Sequence, residues 1–222
     1  MPAALQRALV RPTALLRLTA DRESYREYMR LRSSDAPAEG EVELRIGRLA
    51  GRSVWVREGT DDVAQLWRVF IDSDHLPPAK VQRRGLPRVW DLGCGIGLTT
   101  AEMALRWPEA HVIGVERDRG EARIARRNVE PWDDRTQVVE AEVTADFLNG
   151  LAAEPAAYVK MSLDGGEREL LGDGADWAAE VGCIKVYVHG DYTRDECARD
   201  LARLGFEAGA DRRHEHAVLG LR

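Results

Sequence analysis

The strongest chemical signal in the sequence is a glycine-rich turn that follows an apolar strand. The run 89–97 is Val-Trp-Asp-Leu-Gly-Cys-Gly-Ile-Gly, and a helical pattern begins directly after it at Leu98. Glycines allow positive φ angles and leave no Cβ between the backbone and a bound molecule. The strand, turn and helix together predict a nucleotide-like ligand lying against Gly93, Cys94 and Gly95.

Two carboxylates beside this turn indicate the kind of ligand. Asp91 precedes the turn, where it would repel a phosphate and attract an ammonium or a sulfonium group. Glu116 ends the next predicted strand, where a carboxylate can accept hydrogen bonds from both hydroxyls of a ribose. The last glycine, Gly97, also falls one place before the position that a dinucleotide fingerprint requires. The pattern favours adenosine with a cationic amino-acid tail, as in S-adenosylmethionine (SAM), over a nicotinamide or flavin dinucleotide.

Strand and helix patterns alternate from Gly85 onward, which is typical of a parallel sheet flanked by helices. A closing antiparallel pair is predicted at 206–208 and 215–221. The predicted strands are Arg88–Leu92, His111–Glu116, Thr136–Glu140, Tyr158–Leu163 and Ile184–His189. The predicted helices are Leu98–Trp107, Arg119–Asn128, Ala145–Leu151, Glu167–Leu171 and Thr193–Leu204.

The carboxyl ends of such strands form one crevice, and ligands of open α/β sheets bind there. Residues at or just beyond the carboxyl ends of the second, third and fourth strands of this region join the candidate cofactor site on that argument. The complete predicted cofactor-binding set is Asp91, Gly93, Cys94, Gly95, Glu116, Arg117, Ala141, Glu142 and Ser162.

Three residues near the same crevice are candidates for catalysis. His189 is the leading general base, because an unperturbed pKa near 6.5 suits proton removal at neutral pH. A strand-end histidine that only bonds a neighbouring carbonyl is an equally good interpretation. Lys160 and Asp164 could bind or polarise a methyl acceptor, although Lys160 could instead pair with a nearby acid. His75 is a rival base that a lid could bring over the cofactor.

The segment 158–167, Tyr-Val-Lys-Met-Ser-Leu-Asp-Gly-Gly-Glu, resembles the Lys-x-Asp-x-Glu-Gly-x-Glu signature of the FkbM family of methyltransferases. The runs 57–62, 107–118 and 204–206 are similar to other parts of that family, so the resemblance extends over most of residues 53–206. The glycine turn resembles motif I of class I SAM-dependent methyltransferases, and Glu116 resembles the acid of motif II.

This resemblance implies the fold and the activity. The expected fold is the Rossmann-like class I methyltransferase fold, a mostly parallel seven-stranded sheet with an antiparallel last strand. SAM is the expected cofactor, and a sugar or another secondary metabolite is the expected acceptor. Ser162 stands where the family has its first signature Asp, and Asp164 stands in for a Glu. A serine cannot supply that carboxylate, and no metal site is predicted.

The predicted reaction is transfer of the SAM methyl group to a hydroxyl of a small polar molecule. Methylation of an amine or guanidine nitrogen is an alternative, because an amine with a lowered pKa needs less help from a base. A non-catalytic SAM-binding protein is a second alternative, which the Ser162 substitution leaves open. A nicotinamide-dependent oxidoreductase is a third, and Asp91 and the position of Gly97 argue against it.

Composition restricts the partners. The net charge of −6 over 222 residues disfavours a nucleic acid as the main partner, and no apolar run approaches the length of a membrane span. Three cysteines without metal-ligand spacing, Cys94, Cys183 and Cys197, suit a reducing cytoplasm. His214 and His216 share one face of a strand and are interpreted as structural, since two ligands do not make a zinc site.

Residues 1–84 are predicted to form a helix and hairpin extension that caps the site or joins a homodimer. Within it, 42–46 and 53–57 should form the hairpin and 62–70 a helix. Arginines among the leucines of residues 1–20 could imitate a transit peptide, although an amphipathic helix is the preferred interpretation. Residues 85–222 are predicted to form the SAM-binding domain.

Overall fold

The computed structural model describes residues 18–33 and 40–222. The chain forms two compact units, one ending at Ser73 and the other beginning at Asp74. The sequence placed a boundary after residue 84, between a helix and hairpin extension and a SAM-binding domain. That assignment of roles stays a prediction. The amphipathic or leader segment predicted within residues 1–20 lies almost entirely outside the described residues.

The first unit contains a helix, a hairpin and a second helix. Its elements are α1 (Arg22–Ser33), β1 (Glu41–Ile46), β2 (Arg52–Arg57) and α2 (Asp62–Trp67), and α2 continues as a wider π-helical turn to Asp72. Strands β1 and β2 pair antiparallel, which confirms the predicted hairpin. The buried Asp62 carboxylate accepts hydrogen bonds from the Arg57 amide at 2.9 Å and its guanidinium at 2.8 Å. This ion pair fixes the start of α2 against the hairpin.

The second unit is a seven-stranded sheet in the order β5-β4-β3-β6-β7-β9-β8. Strands β3 to β7 are parallel to one another, and β9 runs antiparallel to both β7 and β8. The strands are β3 (Arg88–Leu92), β4 (His111–Glu116), β5 (Thr136–Glu140), β6 (Tyr158–Met161), β7 (Cys183–Tyr187), β8 (Glu207–Ala210) and β9 (Ala217–Leu221). The helices are α3 (Ala79–Gln82), α4 (Leu98–Arg106), α5 (Arg119–Val129), α6 (Ala145–Leu151), α7 (Glu167–Leu170) and α8 (Arg194–Arg203). The predicted sheet, with its antiparallel β9, is confirmed.

The two faces of the central strands differ in chemistry. One face is apolar, and its buried side chains include Trp90, Met161 and Ile184, which belong to the same core cluster as Trp177. Each such side chain contributes about 1.5–3 kcal/mol when it is fully buried. The other face carries a buried row of charges, because Asp91 pairs in register with Lys160, which pairs with Lys185. Near-continuous burial of both faces is expected of central parallel strands.

Lys185 shows how one of these buried charges is satisfied. Its ammonium donates to the carbonyls of Asp74 and Leu76 and lies 2.5 Å from the Asp211 carboxylate. Burial nevertheless lowers the pKa of Lys185 below its ordinary value. A buried ammonium needs partners of this kind, since an unpaired buried charge is very costly.

The predicted bounds of several strands were wrong: the closing pair lies at Glu207–Ala210 and Ala217–Leu221 instead of 206–208 and 215–221, and two strands near the crevice end early. β6 ends at Met161 instead of Leu163, because Asp164 and Gly165 turn with φ angles of 53° and 120°. β7 ends at Tyr187 instead of His189, and Gly190 follows in a left-handed conformation with φ of 63°. In both places the chain leaves the sheet earlier than its apolar pattern predicted. His189 therefore belongs to a loop.

Candidate active site

The glycine turn is held against β4 by its own backbone. The amides of Gly93 and Cys94 both donate to the Val115 carbonyl, at 2.9 and 3.0 Å. Gly93 has a φ of 70°, and a Cβ at this residue would lie 1.8 Å from the Ser162 carbonyl oxygen. Gly97 has a φ of 79°, and its Cβ would lie 3.0 Å from Ala125. These two positions require glycine for both conformation and space.

Asp91 is buried beneath this turn, and its carboxylate is engaged within the protein. One oxygen accepts the hydroxyls of Thr99 and of Thr100, the latter at 2.7 Å, both from the start of α4. The other oxygen lies 3.0 Å from the ammonium of Lys160. Because Lys160 balances its charge, Asp91 adds little net negative potential to the crevice. Direct contact between Asp91 and a ligand stays a prediction.

Lys160 connects the charged row to the turn. Besides its ion pair with Asp91, its ammonium donates to the Gly93 carbonyl at 2.8 Å. The side chain is about nine-tenths buried. The pairing with an acid, which the sequence left open, is present, and the ammonium supports the turn from below. A role for Lys160 in binding the acceptor stays a prediction.

Glu116, the last residue of β4, also holds the glycine turn. One carboxylate oxygen accepts the Gly95 amide and the other accepts the Asp118 amide, each at 2.9 Å. Asp118 in turn caps α5 by accepting the Glu121 amide at 2.8 Å. Each Glu116 oxygen has a further lone pair beyond these bonds. The side chain is thus fixed in place and still able to accept hydrogen bonds from a ligand.

A crevice of about 300 Å³ lies at the carboxyl ends of β3, β4, β5 and β6. Its walls bring together seven of the predicted site residues, from four different segments of the chain. Its size is at the lower limit of pockets that hold small organic ligands. The seven residues are Gly93, Glu116, Arg117, Ala141, Glu142, Ser162 and Asp164.

A larger and more open cleft of about 450 Å³ lies at the amino ends of the strands, opposite the crevice. Arg88, His111 and Thr136, the first residues of β3, β4 and β5, are among its walls. Ligands of open α/β sheets bind at the carboxyl ends of the strands. The smaller crevice, which also holds the predicted residues, is therefore the candidate site.

His189 lies beside this crevice between two carboxylates. Its Nδ1 is 2.7 Å from a carboxylate oxygen of the buried Glu167, and its Nε2 is 3.7 Å from the exposed Asp164. The hydrogen bond with Glu167 raises the pKa of His189 above its ordinary value, against the opposing effect of burial. The sequence drew attention to His189 and matched Glu167 to the last Glu of the FkbM signature, but it assigned Glu167 no role.

Cys94 packs beneath the turn. A Cβ on Gly114 would lie 3.0 Å from its sulfur, so the thiol fills the space that this glycine leaves on β4. Burial raises the pKa of the Cys94 thiol well above its usual range. The thiol is therefore protonated and unsuited to nucleophilic chemistry.

The other histidines have structural surroundings. His75 is buried with Nε2 3.1 Å from the Glu102 carboxylate, so a rival base at this residue would have to break that contact. His214 packs edge-on against Tyr187 and lies 3.6 Å from Asp74. Across residues 18–33 and 40–222, no cluster of three or more His, Cys, Asp or Glu side chains is arranged to hold a metal ion. No helix in those ranges combines the length and apolarity of a membrane span.

Sequence comparison finds one partial relative. No protein-family model matches the chain. The ribosomal RNA large subunit methyltransferase G of Streptomyces avermitilis is 35% identical over 124 residues, which are 54% of this chain and 29% of that protein. The chain thus spans less than a third of that relative's length.

Structure comparison shows the fold. An O-methyltransferase family protein from Burkholderia thailandensis superimposes with a TM-score of 0.55 at 15% identity, over 90% of this chain and 68% of that chain. At this level of identity a superposition establishes architecture. By this superposition and its strand order, the chain has the Rossmann-like fold of class I SAM-dependent methyltransferases.

Proposed function

We propose that the chain binds SAM in the carboxyl-end crevice and transfers its methyl group to a small polar molecule, with a hydroxyl oxygen as the favoured acceptor. The adenosine would lie against Gly93 and Glu116, and the walls at Ala141, Glu142 and Ser162 would enclose the rest of the cofactor. The name of the Streptomyces relative and the shared fold support a methyltransferase.

The observation that carries this proposal is the Glu116 carboxylate. It lines the crevice and is held by the amides of Gly95 and Asp118. A ribose presents two adjacent hydroxyl donors, and a carboxylate fixed at the end of the second strand of this fold suits them. The glycine spacing adds to this, because Gly97 falls one place before the position that a dinucleotide fingerprint requires, which favours a nucleoside over a dinucleotide.

The chemical step requires few protein groups. SAM held against Gly93 and Glu116 would supply an activated methyl group, whose transfer to the acceptor oxygen would break the carbon–sulfur bond and release S-adenosylhomocysteine as a neutral thioether. Nε2 of His189 would accept the hydroxyl proton. Alignment of oxygen, carbon and sulfur supplies most of the rate enhancement, and a positioned base contributes typically ~10²–10⁴-fold.

The acceptor is proposed to be a small molecule such as a sugar or another secondary metabolite. The FkbM resemblance of residues 158–167 supports this class. Exposed carboxylates at Asp164 and Asp191 and the net charge of −6 oppose a polyanion. We further propose that the chain acts in the cytoplasm, and a homodimer stays a prediction.

RNA is a second candidate acceptor, because the relative that is 35% identical is named as a ribosomal RNA methyltransferase. One experiment compares the two. The protein is incubated with SAM labelled in the methyl group, with a small-molecule extract of its native source and separately with total RNA. Label in small molecules heavier by one methylene group supports the proposal, label in RNA supports the second candidate, and label in neither contradicts both.

Oxygen and nitrogen acceptors can be separated through His189. Deprotonation of a hydroxyl needs the base, so His189→Ala should reduce turnover by ~10²–10⁴-fold. His75→Ala serves as the comparison for the rival base. Near-unchanged turnover in both variants would favour a nitrogen acceptor.

A further inference from the structure

We propose that Glu167 is a positioning residue, whose single buried carboxylate fixes both the His189 imidazole and the loop that forms the acceptor side of the crevice. The proposal rests on the proposed function, because it assigns His189 to proton transfer at that crevice. It concerns a residue outside the predicted catalytic and cofactor sets.

Three hydrogen bonds converge on this carboxylate. One oxygen accepts the Leu163 amide at 2.7 Å and lies 2.7 Å from Nδ1 of His189. The other oxygen accepts the Gly165 amide at 3.1 Å. The Glu167 side chain is fully buried, whereas Glu169 on the same short helix is exposed. A buried carboxylate with three donors is well satisfied, so it can define the geometry of the groups that donate to it.

The loop held in this way is a strained one. Asp164 adopts a left-handed conformation with φ of 53°, which is uncommon for a residue with a Cβ, and Gly165 follows with φ of 120°. The amides on either side of Asp164 are the two that Glu167 accepts. Glu167 thus offsets the cost of this turn, and the turn carries Asp164 and Gly165 into the crevice wall.

The same carboxylate selects the tautomer of His189. A carboxylate accepts a proton donor, so Nδ1 must carry its hydrogen, and in the neutral ring Nε2 then presents its lone pair. The separation of 3.7 Å between Nε2 and Asp164 is too long for a hydrogen bond. Nε2 therefore keeps a bonding direction for an acceptor hydroxyl.

Three charged groups face the imidazole. Glu167 on α7 and Asp164 on the loop favour the imidazolium, and Lys160 on β6 opposes it. The pKa of His189 is raised on balance. Burial alone would raise the pKa of Glu167, but its hydrogen bonds with His189 and the Leu163 amide outweigh burial and lower it. Opposite shifts in the two partners are what an ion pair between them produces.

The test is an NMR titration of the His189 imidazole in the full chain, assigned by loss of its signal in His189→Asn. In Glu167→Gln the pKa of His189 should fall toward its ordinary 6.5, and in the exposed control Glu169→Gln it should match the wild type. An unchanged pKa in Glu167→Gln would overturn the proposal. If Glu167→Gln does not fold, the wild-type protein alone tests the proposal. The nitrogen chemical shifts of its His189 imidazole, measured above the pKa, should show a hydrogen on Nδ1, and a hydrogen on Nε2 would overturn the proposal.

A calorimetric titration with SAM keeps this result separate from the proposed function. A lowered pKa in Glu167→Gln without SAM binding by the wild-type protein would refute the proposed function and leave the positioning role intact. SAM binding with an unchanged pKa would refute the positioning role alone.

Discussion

The two walls of the crevice are built on different principles. On the wall that we propose binds the cofactor, called the cofactor wall, the glycine turn 93–97 is supported from beneath by Asp91 and Lys160, both of which come from central strands and are buried. On the wall that we propose faces the acceptor, called the acceptor wall, residues 163–165 lie beyond the end of β6 at Met161, and one carboxylate, that of Glu167, accepts the amides of Leu163 and Gly165. The exposed Asp164 of this loop has a side chain with 81% of its surface accessible, against 0% for Asp91.

This difference should make the cofactor wall rigid and the acceptor wall adaptable. The cofactor wall is anchored to buried side chains of the central strands, so changes to it should disturb folding as well as ligand binding. The acceptor wall is a loop, and loops tolerate changes that alter specificity without loss of the scaffold. We therefore expect the effects of substitution on the free energy of unfolding to decrease from the glycine turn towards His189.

The largest effect should follow Gly93→Ala on the cofactor wall. The alanine Cβ would lie 1.8 Å from the Ser162 carbonyl oxygen, and the alanine backbone would have to adopt a φ of 70°. The free energy of unfolding, measured by urea denaturation, should fall by about 3 kcal/mol or more. Gly85→Ala is the matched control, because Gly85 has a φ of 82° and no heavy atom within 4 Å of its ideal Cβ. The control should lose only about 1–2 kcal/mol, and equal losses would contradict the close-contact explanation.

Lys160→Met should have the next largest effect on stability. It removes the ammonium and leaves the buried Asp91 carboxylate with only the two threonine hydroxyls. Breaking a buried pair by removing one partner costs about 3–5 kcal/mol. The exposed pair between Arg126 and Glu140 offers a comparison, and Arg126→Met should cost less than about 1 kcal/mol. A similar small loss in Lys160→Met would show that the buried row does not support the turn.

Glu116→Gln should act mainly on ligand binding. An amide group can accept from only one of the Gly95 and Asp118 amides, and it offers less to a ribose hydroxyl. The dissociation constant for S-adenosylhomocysteine should rise about 10–100-fold, or about 1.4–2.8 kcal/mol. Glu140→Gln is the control, since Glu140 is the register partner of Glu116 on β5 and is exposed. Equal affinities in the two variants would remove Glu116 from the cofactor site.

The smallest effect is a pH-dependent contribution of His189 to stability. Its folded-state pKa is raised above 6.5, so the stabilisation is fully present below 6.5 and is lost as the pH rises through the folded-state value. The difference in unfolding free energy between wild type and His189→Asn should shrink over that window. A difference that grows with pH would mean that the imidazole is neutral in the folded protein. Methyl transfer to a hydroxyl should increase over the same window, because only the neutral ring accepts a proton.

The sequence predicted the sheet well because the turn residues that separate strands from helices lie next to them in the sequence. The bounds of β3, β4, β5 and α6 match the predictions, and turns or bends precede β3, β4 and β5. The ends of β6 and β7 were wrong because an apolar pattern does not reveal where a left-handed residue breaks the pairing. Placement of Glu116, Ser162 and Asp164 at one crevice followed from the rule that parallel strands end at the same edge.

The pairings within the site could not be predicted in this way. Lys160 and Gly93 are 67 residues apart, and Glu167 and His189 are 22 apart. Such contacts depend on the register between strands, which single-sequence patterns do not define. Consecutive hydroxyls at Thr99 and Thr100, directly after the turn, were the one local signal for the partners of Asp91, because they begin the helix that follows it.

Isothermal titration of the full chain with S-adenosylhomocysteine tests the central claim most directly. We expect one site per chain with a dissociation constant on the order of micromolar, about −8 kcal/mol, and competition by SAM. Absence of binding to both compounds, or binding of NADH in their place, would contradict it.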